Sequence, residues 1–89
     1  MVRMFVRHKV KNYTEWRQGY EAFGAHRPSF GVTGQAVYQD AGEPEMVTVT
    51  HDFDTVDAAR TLAASDALKQ AMVDAGVIGV PDIWFTTPA

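Results

Sequence analysis

The chain has 89 residues, no cysteine, 46% hydrophobic and 21% charged residues, and a formal net charge of −3. That length holds one core and one domain, residues 1–89, and the balance is that of a folded protein. The missing cysteines exclude a disulfide, a thiolate nucleophile and a thiolate zinc site, and the acidic balance argues against nucleic acid, whose phosphates draw on surplus lysine and arginine.

Val2 to Val10 alternates, with Val2, Met4, Val6, His8 and Val10 on one parity and Arg3, Phe5, Arg7 and Lys9 on the other. This period of two predicts a strand with one apolar face. The same charges interrupt any signal-peptide core, and no stretch reaches the ~20 apolar residues of a membrane span, so a cytoplasmic protein without membrane contact is expected. Asn12 offers a helix N-cap with Glu15 three residues on, as in a capping box. Tyr13, Trp16, Tyr20 and Phe23 follow at helical spacing, one aromatic stripe on one face. Arg27-Pro28 ends this helix, because the residue before proline avoids helical geometry.

Residues Gly31 to Asp40 and Glu45 to Phe53 read as a hairpin around the turn residues of Asp40–Pro44. Val47, Val49, His51 and Phe53 form the apolar parity of its second strand. Asp54 or Thr55 caps a helix through Ala64, and Ser65 is a fresh N-cap at which the helix breaks and restarts. Leu68, Ala71, Met72 and Ala75 are the apolar stripe of the restarted helix, and Gly76 suits its C-terminal cap. Val80 to Thr86 is the last strand, with Pro81 near its start.

The order β-α-β-β-α-β predicts an α+β ferredoxin-like sandwich, one four-stranded antiparallel sheet with helices on one face. Its spatial strand order is fourth, first, third, second. The bare face carries Phe5, Met46, Thr48, Thr50 and either Trp84 or the pair Ile83 and Phe85. A two-fold dimer packing sheet on sheet would cover it, with Arg3 and Arg7 paired to Asp52 or to carboxylates of the partner.

On two segments, His8-Lys-Val-Lys-Asn-Tyr-Thr-Glu-Trp16 and Ser65-Asp-Ala-Leu-Lys-Gln-Ala-Met-Val-Asp-Ala-Gly-Val77 with Pro81 and the last strand, the chain resembles the dimeric α/β-barrel proteins of the antibiotic biosynthesis monooxygenase superfamily. It is most similar to small bacterial proteins often labelled cyclases or uncharacterised. The resemblance spans nearly the whole chain and implies a homodimer whose sheets close a barrel, with a ligand cavity between sheet and helices of each subunit. That superfamily spans cofactor-independent monooxygenases, haem-degrading enzymes, polyketide cyclases, lactone isomerases and members without a known reaction. Haem-degrading members carry a ligating histidine on the second helix. Residues 56–75 contain none, so haem degradation is not expected.

Candidates for chemistry are His8 and His51, both on the apolar parity of neighbouring strands, with histidine's aptitude for moving protons near neutral pH. With strand centres aligned, His8 lies opposite Val47 and His51 opposite Met4, about 13 Å apart at ~3.3 Å per residue, too far to share a metal or form a dyad. Tyr13 and Trp16 are expected near His8, and Phe23 and His26 near His51, with Tyr20 between. His26 itself reads as an exposed helix-end residue. Tyr13, Trp16, Tyr20, Phe23 and Trp84 form either the wall of a pocket for a planar aromatic or plain core packing. Asp54 and Ser65 read as caps, and Gly31 and Gly34 precede no helix start that would hold a phosphate.

The expected function is that of a small-molecule-binding homodimer, a cofactor-independent monooxygenase acting on an aromatic, polyketide-like substrate, with no cofactor and no metal. The alternatives are a polyketide cyclase-like enzyme and a non-enzymatic stress-response or structural dimer filled by its own aromatics. A cavity well below the ~300 Å³ of ordinary ligand sites favours the structural dimer.

Overall fold

A computed structural model describes residues Met1–Ala89. Strand β1 (Val2–Val10) buries every even residue, as its alternation requires. Helix α1 (Tyr13–Ala22) starts where the Asn12 side chain accepts a 3.0 Å hydrogen bond from the Glu15 N–H. It then tightens into two short 3₁₀ turns, Phe23–Ala25 and Pro28–Phe30.

Arg27 corrects the expectation for a residue before proline: its backbone is helical, φ −56° and ψ −48°. Pro28 occupies the first position of a turn, where its missing N–H costs nothing, and the Arg27 carbonyl accepts bonds from Phe30 and Val32 at 3.1 and 3.2 Å. Gly31 caps the second turn and the Val32 N–H is tied back to Arg27, so β2 is shorter than expected, Gly34–Gln39. Gly31, at φ 85°, closes the second turn in a conformation that side chains avoid.

Strand β3 (Met46–Phe53) follows a turn in which the Asp40 carboxylate accepts from the N–H groups of Gly42 and Glu43, both at 3.0 Å. Thr55 caps α2 (Val56–Ala64). The Ser65 hydroxyl then donates to the Leu62 carbonyl and accepts from the Leu68 N–H, ending one helix and opening α3 (Asp66–Asp74) with one side chain. Strand β4 (Val77–Thr86) begins three residues before its expected start. It holds Pro81 at an irregularity in its pairing with β1, between Arg7↔Asp82 and Lys9↔Ile78. A bulge there tolerates a residue that cannot donate to the ladder.

The antiparallel sheet runs β2-β3-β1-β4, the predicted order. The register of β1 on β3 is also the predicted one, with His8 opposite Val47 and Met4 opposite His51. Met4, Phe53, Ala59 and Leu62 are fully buried between the sheet and α2. Val10, Val47, Trp16 and Tyr20 form a second cluster under α1. On the bare face Phe5 and Trp84 stack with ring centroids 5.1 Å apart and planes 1° from parallel. Beside them Arg3 pairs with Asp52 through Nε–Oδ1 and Nη2–Oδ2 contacts of 2.7 and 3.2 Å. That hydrogen bond holds the Asp52 carboxyl below its ordinary range. Arg7 reaches Asp40 at 3.7 Å.

Candidate functional site

Strand alternation points His8 of β1 and His51 of β3 at the helices, where they are 6% and 4% exposed. Four residues of strand separate them, about 13 Å along the sheet at ~3.3 Å per residue. Both line one hollow floored by Val6 and Val49, walled by Trp16, Tyr20 and Phe23 of the first helical segment, and closed by Leu68, Ala71, Met72 and Ala75 of α3 and its C-terminal cap. The hollow measures about 40 Å³, room for water-sized contents. Helices α1 and α3 meet beside it at Gly19, where an added Cβ would stand 2.7 Å from the Ala75 Cβ. Gly19, Phe23 and Ala71 also line a second groove, which adjoins the hollow at this seam.

The polar chemistry of the hollow is unsatisfied. Neither ring nitrogen of His8, nor either of His51, has a hydrogen-bond partner within the protein. Burial lowers the His8 pKa from 6.5 to about 4. Burial also lowers that of His51 to about 4, helped by the positive charge of Arg27 and opposed by Asp52. Both rings are therefore neutral at pH 7, each with one nitrogen lone pair free to accept a hydrogen bond. His8 meets the edge of Trp16 at 5.7 Å between centroids, and Trp16 in turn stacks on Tyr20 at 5.2 Å.

Arg27 is the residue that reasoning from pattern missed. It is 3% exposed and lines the hollow beside His51. Its guanidinium lies 3.8 Å over the Tyr20 ring and 5.7 Å from the Phe23 ring. Its Nη2 donates to the Tyr20 carbonyl at 2.6 Å, while Nε has no partner. Burial lowers its pKa, which the neighbouring Tyr20 and Glu21 oppose.

The structure gathers His8, His51, Trp16, Tyr20 and Phe23 around one space. It does not bring Trp84 there. Trp84 is 40% exposed and sits opposite Phe5 on the bare face, because its parity on β4 is that of Phe5 on β1. Ile83 and Phe85 take the covered face instead and pack on the core. Tyr13 stands one step outside the lining, tilted against Trp16 at 5.8 Å. His26 is exposed and touches Phe23 from the outside. No three His, Asp or Glu side chains converge anywhere in the molecule.

Layering, strand order and a hollow between sheet and helices give this chain the ferredoxin-like fold of antibiotic biosynthesis monooxygenase-like proteins. No protein-family model and no curated protein matches the sequence. Among solved structures, SnoaB, a cofactor-independent oxygenase from Streptomyces nogalater, superposes with a TM-score of 0.79 at 13% identity, covering 99% of this chain and 92% of that one. An antibiotic biosynthesis monooxygenase gives 0.74 at 8% identity over 100% and 99% of the two chains. A conserved protein from Methanosarcina mazei Go1 gives 0.74 at 17% identity over 96% and 89%. At these identities the likeness is one of fold. No helix is long and apolar enough to cross a membrane.

Proposed function

We propose that this protein is a homodimeric, cofactor-independent oxygenase that takes a planar phenolic or polyketide-like aromatic into the hollow, with His51 or His8 removing a proton. The observation that carries the reading is the set of four ring nitrogens without partners, on two neutral histidines that line one apolar space. Buried polar groups are costly unless they find hydrogen bonds, and a bound hydroxyl or enol supplies them. The fold shared with SnoaB, a cofactor-independent oxygenase, supports the same direction.

The chemistry closes without a resident redox group. For an activated methylene, a histidine takes a proton and the carbanion passes electron density to dioxygen. A C–O bond forms, and the resulting hydroperoxide loses water to leave a carbonyl. One methylene and one O₂ become one C=O and one H₂O, and the histidine returns its proton to the departing oxygen. The protein contributes orientation, exclusion of water and the base. A polyketide cyclase would use the same proton removal, without oxygen. In the dimer the Phe5–Trp84 face of each subunit packs on its twin, which removes the exposed indole from water.

Oxygen uptake with a panel of anthrones and hydroquinones tests the reading. Uptake that depends on protein and falls about a hundredfold in His51→Ala or His8→Ala is expected, the loss typical of removing a general base. Equal uptake by the wild type and both variants contradicts it. A second reading, a structural dimer filled by its own aromatics, is favoured by the 40 Å³ volume, far below the ~300 Å³ of ordinary ligand sites. The oxygenase reading therefore requires the hollow to widen on binding.

A further inference from the structure

A buried arginine ordinarily faces a carboxylate, because desolvating its charge is tolerable only when an opposite charge or a full set of acceptors replaces water. Arg27 has neither. None of the ion pairs in the molecule includes it. The one carboxylate that reaches it electrostatically, Glu21, is held by Arg17 at 2.7 Å. Its single hydrogen bond goes to a backbone carbonyl, and the aromatic faces of Tyr20 and Phe23 offer attraction without accepting at the bare Nε. The neighbouring titratable group on the sheet, His51, is neutral at pH 7 and supplies no negative charge. Arg27 lines the same hollow as both histidines.

We infer that Arg27 makes the hollow an anion site, and that its ligand is an apolar body bearing one oxyanion, a carboxylate or an ionised phenol or enol, seated against the guanidinium. The inference rests on reading the hollow as a ligand site and narrows the substrate class. A water molecule would satisfy Nε but leave the charge uncompensated. An oxyanion does both, through charge-assisted hydrogen bonds stronger than neutral ones. Its apolar remainder matches a lining that is mostly hydrocarbon and aromatic. A substrate anion formed when histidine removes a proton would be held at the same place.

Benzoate and benzamide, nearly equal in size and differing in charge, provide the test. Titrations at pH 7 follow the histidine ring resonances of the protein. Benzoate is expected to bind the wild type about tenfold or more tighter than benzamide and to shift His51. Arg27→Leu, which replaces an uncompensated charge with an apolar chain, is expected to fold and to lose the preference; Arg27→Lys retains part of it. Benzamide bound as tightly as benzoate, a preference that survives in Arg27→Leu, or no saturable benzoate binding up to its solubility limit overturns the inference. Absent oxygen uptake would remove the oxygenase reading and leave this result standing. Equal binding of the two probes with His51 shifted by both would remove the anion site alone.

Discussion

Arg27 lies 3.8 Å above the ring of Tyr20 and, through Nη2, also donates a 2.6 Å hydrogen bond to that residue's own carbonyl. One side chain thus fastens the 3₁₀ turns to the helix that precedes them, and closes the His51 end of the hollow. Tyr20→Phe keeps the ring and the carbonyl, so its stability is expected within about 0.5 kcal/mol of the wild type. Tyr20→Leu loses the aromatic face and is expected to cost about 1–3 kcal/mol, from cation–π and packing together. Urea denaturation of the two variants separates these outcomes.

At Gly19 the helix seam leaves no room for a side chain, since a Cβ would stand 2.7 Å from the Ala75 Cβ. Alanine is the better helix former by about 1 kcal/mol, but here overpacking outweighs it. Gly19→Ala is expected to lower stability by about 1–3 kcal/mol, and Ala75→Gly in the same chain to recover part of the loss. A chemical-denaturation double-mutant cycle reads the coupling. Additive effects would show that the seam is slack.

Acid should destabilise the protein before its carboxylates titrate. Both histidines have folded pKa values of about 4 against an ordinary 6.5, so between those limits the unfolded chain binds protons that the folded chain refuses. Stability is therefore complete above pH 6.5 and is lost as pH falls through the window towards 4. At pH 5 the loss is about 2 kcal/mol per histidine. His8→Leu removes one titrating group, so its stability should fall less between pH 7 and pH 5 than that of the wild type. Denaturation curves at the two pH values check the difference.

The register of β1 on β3 was legible residue by residue, because both strands bury one parity and a slip of one would expose His8, His51 and every core valine. The helix break was legible in Ser65, whose hydroxyl serves both ends. Trp84 was not, because Ile83, Trp84 and Phe85 are all apolar and carry no alternation to assign a face; only pairing with Phe5 does so. Arg27 was hidden for another reason. It stands outside any periodic element, before a proline, and its burial arises when two short turns fold its side chain back over Tyr20 and Phe23. The hollow's 40 Å³ volume depends on how closely α1 meets α3, a packing distance that no residue pattern encodes.

On the bare face, Trp84→Glu places a charge against Phe5 where a twin sheet would pack. Sedimentation equilibrium should find a dimer for the wild type and a monomer for the variant, with unchanged far-ultraviolet circular dichroism. A wild-type monomer at micromolar concentration would remove the dimer from the proposal.

The most direct measurement is a titration with 1-naphthol, a planar phenol, followed through the three histidine side chains by two-dimensional ¹H–¹⁵N spectroscopy. His8 and His51 line the hollow, whereas His26 is exposed outside it. Saturable shifts of the His8 and His51 rings, with His26 unmoved, are the predicted result. Rings of His8 and His51 that stay unshifted at saturating naphthol would contradict the account.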